Sequence, residues 1–262
     1  MIKLTNENLN KILNYMEDDL PNCLYLYGDI VRYGLDDPNM TVWYSEKNGS
    51  VNAVIMQYFT GSHVYSKNLD CDIEEIISKL QEINPDRVSS QREIIEELHK
   101  RLNNIYDVEY GCVFKLTSYR KMKSPVVIEK AEASEAGEIA DLMMTHELYS
   151  RSYEKEELAE ELANRIKNGI GRSYIIRENG RIIAHDGVNL ETDKYAVEGL
   201  ALVHDDYRNT LYGAFLDSYM INDLGEEGKE LYCMIVEGRR LDSFVKLGNK
   251  VQATYGKMFR KK

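Results

Sequence analysis

Apolar and polar residues along the chain follow one scheme twice. Residues 5–20 carry apolar positions at helical spacing and are followed by Trp43-Tyr44-Ser45-Glu46-Lys47-Asn48-Gly49-Ser50-Val51-Asn52-Ala53. Residues 134–148 and 155–168 again have helical spacing and lead to Tyr174-Ile175-Ile176-Arg177-Glu178-Asn179-Gly180-Arg181-Ile182-Ile183-Ala184. Asn-Gly between two alternating runs predicts a tight hairpin, because both central residues of a type I′ turn need positive φ. The first half continues with the short segment 63–65, helices over 72–83 and 91–104, and a strand over 110–116. Residues 117–125, polar and basic with Ser118, Ser124 and Pro125, suit a linker. The second half opens with a strand at 126–128. After its hairpin the pattern predicts a strand at 196–203, a polar turn, a helix at 209–224, a strand at 231–236, a helix at 239–247 and a last strand at 252–259. Two α/β domains are expected, residues 1–117 and 124–262, each a mixed, largely antiparallel sheet flanked by helices.

Composition agrees with this and narrows the function. The 262 residues, 43% hydrophobic with 4 prolines, suffice for two packed cores. A formal charge of −11 argues against a nucleic-acid partner, and the dense basic run is confined to residues 257–262. An acidic body favours cationic partners such as amines, although solubility accounts for it equally well. Cys23, Cys71, Cys112 and Cys233 form no C-x-x-C pair, so neither a zinc site nor a redox motif is expected. Residues 1–10 lack the apolar core of a secretion signal, and no apolar run approaches the ~20 residues that span a bilayer. A cytoplasmic protein without a membrane partner is the expectation.

One segment has the chemistry of an anion site. The strand 196–203, the turn His204-Asp205-Asp206-Tyr207-Arg208 and the following helix would present backbone N–H groups and a guanidinium to a phosphate. The same residues also fit an ordinary crossover with a solvated arginine. Residues 126–259 resemble the C-terminal domain of a bacterial GNAT (GCN5-related) N-acetyltransferase type that has a degenerate, related N-terminal half. The resemblance is carried by Gly171-Arg172-Ser173-Tyr174, Ala184-His185-Asp186-Gly187, Glu191-Thr192 and Asp205-Asp206-Tyr207-Arg208. It extends to the first half through the repeat alone. It implies acetyl-CoA as co-substrate, with the pantetheine arm along Leu202 and Val203. The pyrophosphate would lie in the loop of Arg208, Asn209, Thr210, Leu211, Tyr212, Gly213 and Ala214.

Two positions depart from the family pattern. Leu211 stands where the family has a glycine that lets the backbone approach phosphates, and Phe244 takes the place of the tyrosine that is the family's usual general acid; phenylalanine has no proton to give. A base is available in Glu198, which strict alternation puts on the same face as Leu200 and Leu202, although a carboxylate there can also simply reach solvent. Tyr149 and Tyr153 are the candidate substrate-pocket rings, with half-buried packing as the plainer reading. The five histidines have no metal-ligand spacing and no metal is expected. The resemblance implies direct N-acetyl transfer to an unidentified amine, with activity weakened at Leu211 and Phe244. The alternative is a non-catalytic GNAT-fold module that binds a ligand or a protein. Oligomeric state is not legible.

Overall fold

The structure, a computed structural model, describes residues 1–116, 122–150, 153–246 and 248–261. Most of the expected linker, the end of the helix expected over 239–247 and the last residue of the basic tail lie outside them. The chain forms two compact units, one of residues 1–114 together with 234–262, the other of residues 115–233.

The first unit begins with β1 (Ile2–Lys3), α1 (Leu9–Met16), a 3-10 segment (Glu17–Asn22) and α2 (Leu24–Tyr33). It continues through β2 (Met40–Lys47), β3 (Ser50–Tyr58), β4 (Gly61–Tyr65), α3 (Ile73–Ile83), β5 (Arg87–Gln91), α4 (Arg92–Leu102) and β6 (Tyr106–Leu116). The second contains β7 (Glu129–Lys130), α5 (Ala136–Met144), α6 (Glu147–Ser150), α7 (Lys155–Lys167), β8 (Arg172–Glu178), β9 (Arg181–Glu191), β10 (Tyr195–Val203) and α8 (Tyr212–Glu226). Then follow β11 (Glu230–Val236), α9 (Arg239–Lys246) and β12 (Val251–Arg260). Strand order is β1-β2-β3-β4-β5-β12-β6 in the first unit and β11-β10-β9-β8-β7 in the second. Each sheet is antiparallel except for one parallel pair, β4 with β5 and β10 with β11. The last strand of the chain thus completes the first unit, antiparallel to both β5 and β6.

The repeat is present down to the turns. Asn48 and Gly49 have φ of 55° and 81°, Asn179 and Gly180 51° and 79°, the signature of a type I′ turn. Both hairpins also bulge at the same place. Lys47 pairs with Ser50 and Glu46 with Val51, but Ser45 with Ala53; likewise Glu178 pairs with Arg181 and Arg177 with Ile182, but Ile176 with Ala184. One extra residue per hairpin increases twist and lets each sheet curl over its helices.

Amphipathic helices close one face of each sheet. Ile76, Ile77 and Leu80 of α3 and Ile94, Ile95 and Leu98 of α4 bury against Ile55, Val64, Val88 and Met258. In the second unit Ile139, Ala140 and Met143 of α5 and Leu158 and Leu162 of α7 bury against Ile175 and Ile182. Asp72 caps α3, accepting from the amides of Glu74 and Glu75. Three elements depart from the sequence pattern. Helix α2 has no clear apolar stripe because it is buried on most sides, at Leu24, Leu26, Tyr27, Gly28, Asp29 and Ile30. Strand β5 carries one large apolar residue, Val88, in Arg-Val-Ser-Ser-Gln. The strand expected at 126–128 is displaced to Glu129–Lys130, after which Ala131 N continues the contact by donating to Ser173 O.

Candidate functional site

The candidate site of the second unit is built on an irregular strand. β10 pairs in parallel with β11 over three residues, Tyr195 to Val197 against Glu230 to Tyr232. On its other side it follows β9 with register shifts after Val197 and again between Gly199 and Leu202. Within the second shift Leu200 has φ of +66°, a left-handed conformation that costs a branched side chain about 1 kcal/mol or more. Its carbonyl is turned to His185 Nδ1 at 2.7 Å, and His185 Nε2 lies 3.0 Å from Ser173 Oγ. A carbonyl can only accept, so Nδ1 carries the proton and Ser173 donates to Nε2. Burial holds the imidazole neutral, its pKa lowered to about 4. One uncharged histidine therefore staples the bulge across β8, β9 and β10. Gly199 allows the close approach, since a Cβ there would lie 1.9 Å from Asn189 Nδ2.

The bulge corrects the alternation expected for β10. Leu200 and Leu202 pack against the core of α5 and α7, whereas Glu198 belongs to a group of carboxylates with Asp186 of β9 and Asp217 of α8. One carboxylate oxygen from each of these three residues lies within 4.8 Å of the other two. Glu198 is 8% exposed and Asp186 1%. Burial, the charge of Glu198 and that of Asp217, in that order, push the Asp186 carboxyl well above the usual carboxylate range. Strict period-two reading could not place Glu198 there, because two bulged positions change which side chains share a face. Asp186 appears in the sequence only as part of Ala184-His185-Asp186-Gly187, and Asp217 only as the acid after Phe215 and Leu216 in α8; nothing local brings either to Glu198.

The predicted CoA-contact residues lie at the end of β10 and the start of α8. A Cβ on Gly213 would stand 3.7 Å from Val203 Cγ2, so the first turn of α8 rests on the last residue of β10. Leu211 is the N-cap, with φ −91° and ψ 16°, no side-chain capping bond and no acidic residue in the first turn of the helix. Its side chain is 59% exposed. Thr210 Oγ1 donates to Tyr207 O at 2.7 Å and accepts from Tyr212 N at 3.3 Å. The Tyr207 and Tyr212 rings stack at 6.0 Å, and Tyr207 also bonds Glu178. Arg208 pairs with Asp205 at 2.7 Å, an exposed pair of little energetic weight.

Tyr149 and Tyr153 pack against the core of α5 and α7, and the Tyr149 hydroxyl donates to Ala201 O at 3.0 Å. Phe244 lies in the first unit, its ring 5.5 Å from that of Phe114. An ion network fixes the opposite end of the β8–β9 pair. Arg172 bonds Glu191, Asp223 and Glu227, and Lys229 joins Glu191 and Glu227. Arg172 and then Lys229 hold the Glu227 carboxyl down to about 2.

This succession of elements, with one parallel pair per sheet and a helix leaving the central strand, is the fold of the GNAT acetyltransferases. The structure is similar over 99% of this chain and 98% of the other to a GNAT-family acetyltransferase from Colwellia psychrerythraea, at 11% identity and TM-score 0.61. It is similar to a tandem GNAT protein from the clavulanic acid biosynthesis pathway at 11% identity and TM-score 0.60, with 99% and 97% covered. A GCN5-related N-acetyltransferase from Sphaerobacter thermophilus gives 13% identity and TM-score 0.62, with 99% and 94% covered. No family model matches the sequence, and no curated protein matches it. The likeness is therefore one of fold. No helix among the described residues is long and apolar enough to cross a membrane.

Proposed function

We propose that the second unit transfers an acyl group from acyl-CoA to a small amine. The observation that carries this reading is the pairing of the start of α8, which has no acid in its first turn and no capping bond from Leu211, with a β10 whose parallel register stops at Val197, one residue before the buried Glu198. The first-turn amides of α8, with Arg208 beside them, suit a pyrophosphate, because helix N-terminal N–H groups and the helix dipole both favour an anion. Leu202 and Val203 would lie along the pantetheine arm. Glu198 would take a proton from the substrate ammonium, and the free amine would attack the thioester carbonyl, forming the amide as the C–S bond breaks. Phe244, where the family pattern has its acid, has no proton to give, and the departing thiolate takes its proton from solvent or from the amine itself.

Leu211 and Phe244 favour a second reading, a non-catalytic GNAT-fold module that binds a ligand or a protein. One measurement separates acyl transfer, which requires acetyl-CoA to bind, from a module built for another ligand or a protein. Acetyl-CoA at a hundred times its dissociation constant stabilises a one-site protein by about 2.7 kcal/mol, so the melting temperature should rise by several degrees. An unchanged melting temperature at millimolar acetyl-CoA would remove the acyl-transfer reading and leave a module that binds another ligand or a protein. A rise without amide formation across a panel of amines would leave the binding module.

A further inference from the structure

The carboxylates of Asp186, Glu198 and Asp217 come from three different elements and converge within 4.8 Å inside the second unit. Three negative charges at that separation in a buried site cannot coexist without compensation. The hydrogen bonds say where the compensation sits. Asp186 Oδ1 accepts from the Gly187 amide at 2.8 Å, as an ordinary carboxylate oxygen does. Asp186 Oδ2 is buried and meets no hydrogen-bond donor; the side chain of Asp217, an acceptor, is a hydrogen-bonding neighbour of the Asp186 carboxyl, and Oδ2 is the oxygen left to carry a proton. Two acceptor oxygens in contact make a stable bond if one of them carries the hydrogen. Asp186 is the more buried partner, at 1% exposure, and its other oxygen is already held by an amide.

The other groups facing Asp186 leave this picture intact. From β8, Tyr174 stands opposite it in register, but its hydroxyl is turned to Asp223 at 2.8 Å. From β10 comes Glu198 and from α8 Asp217, both acidic. The guanidinium of Arg172 is engaged by Glu191, Asp223 and Glu227. His185, next in sequence, bonds to Leu200 and Ser173 and is held neutral.

We propose that Asp186 is a positioning residue that keeps its proton on Oδ2 and donates it to Asp217, so that Glu198 faces one neutral carboxyl rather than two carboxylates. The role given to Glu198 rests on the acyl-transfer reading above; the protonation of Asp186 does not. Asn is the isostere of a protonated aspartate: its Nδ2 can donate to Asp217 and its Oδ1 can accept from Gly187. A carboxyl that keeps its proton in the fold but releases it near pH 4 when unfolded binds more protons folded than unfolded. Its presence therefore lowers stability as pH rises above the unfolded value.

Denaturant unfolding of wild type and Asp186→Asn from pH 5 to 9 tests the protonation. The ratio of their folding constants should move in favour of Asp186→Asn by up to tenfold per pH unit. A ratio that stays flat, or moves in favour of wild type as pH rises, would overturn the proposal. So would a melting-temperature rise with Mg²⁺, Ca²⁺ or Mn²⁺ in wild type but not in Asp186→Asn, which would make the trio a cation site. Should Asp186→Asn fail to fold, the infrared band of a protonated carboxyl in wild type at pH 7 decides, its absence counting against the proposal. For the positioning role, acetyl transfer by Asp186→Asn should exceed that by Asp186→Ala at least tenfold, with the acid limb of the pH profile in place. An acid limb one unit lower in Asp186→Asn would mean that Asp186 is charged and overturn it. Absence of acyl transfer altogether would remove the role of Glu198, with the unfolding and infrared measurements still deciding the proton.

Discussion

Helices α3 and α8 leave the central parallel strand of their units at the same point in the repeat, yet their first turns are opposites. The start of α3 is closed to anions: Asp72 takes the amides of Glu74 and Glu75, and both glutamates add charge there. The start of α8 has an exposed leucine as N-cap and no acid in its first turn. The strands preceding them differ in the same sense. Beyond the parallel pairs Gly61 to His63 with Arg87 to Ser89, side chains occupy the backbone of the first unit. Ser90 Oγ donates to Val64 O at 2.8 Å, while Gln91 bonds both the amide and the carbonyl of Ser66, at 3.0 and 2.8 Å. Backbone groups that could serve a ligand are thus satisfied internally. Two copies of one fold can diverge by a few polar side chains, one copy placing carboxylates at its helix start and the other leaving its helix start free of acids. That contrast is why we place the ligand reading on the second unit.

The largest effect should come from the strand that separates the sequence halves from the compact units. Met258 lies on β12 at the end of the chain, yet it is fully buried in the core of α3 and α4. Met258→Ala removes that packing and should cost about 2–5 kcal/mol. Hydrogen exchange checks where the loss falls: amides of β4 and β5 should lose protection while those of β8 and β9 keep theirs. Loss in β8 and β9 instead would break the assignment of β12 to the first unit.

An intermediate effect exchanges the two helix starts. Leu211→Asp gives α8 the kind of cap that Asp72 gives α3 and should stabilise the ligand-free protein by about 1 kcal/mol, or ~2–4 °C in melting temperature. The new carboxylate also occupies the place proposed for the pyrophosphate, so stabilisation by acetyl-CoA should disappear. Asp72→Ala should lower stability by a similar ~1 kcal/mol and leave the acetyl-CoA shift as it was. An acetyl-CoA shift that responds to Asp72→Ala and ignores Leu211→Asp would reverse the roles of the two units.

Much of this was legible in the sequence wherever local chemistry decides. The two Asn-Gly turns demand positive φ from the residues that supply it, and α3 announces itself through Asp72 and its apolar spacing. What stayed hidden depends on distant partners. Nothing local in Arg-Val-Ser-Ser-Gln marks β5, which is a strand because β4 and β12 flank it. Helix α2 is buried on most sides and so lacks the stripe that periodicity detects. The bulge in β10 is held by His185, thirteen residues upstream of Glu198 in the chain, and it parts Glu198 from the face of Leu200 and Leu202. Candidate chemistry was therefore visible as residue types, whereas its grouping was not.

The smallest effect concerns Leu211 itself and sharpens the reading of the helix start. The sequence pattern puts a glycine there, on the argument that a Cβ would keep phosphates from the backbone. In the structure Leu211 has φ −91°, which any L-residue adopts without strain, and its side chain is 59% exposed. Leu211→Gly therefore relieves no backbone strain and removes a side chain that already stands largely in solvent. Because the position is an N-cap rather than a helix interior, glycine is the better residue there, and ligand-free stability should rise by a few tenths of a kcal/mol. Any gain in acetyl-CoA affinity should stay below about tenfold, since the first-turn amides are set by α8 and not by this side chain; one fully recovered charge-assisted hydrogen bond, worth ~1.5–3 kcal/mol, would exceed that. Paired calorimetric titrations of wild type and Leu211→Gly with acetyl-CoA check it. A gain of a hundredfold would mean that Leu211 folds over the helix start in solution and that the contrast between α3 and α8 is smaller than their caps indicate.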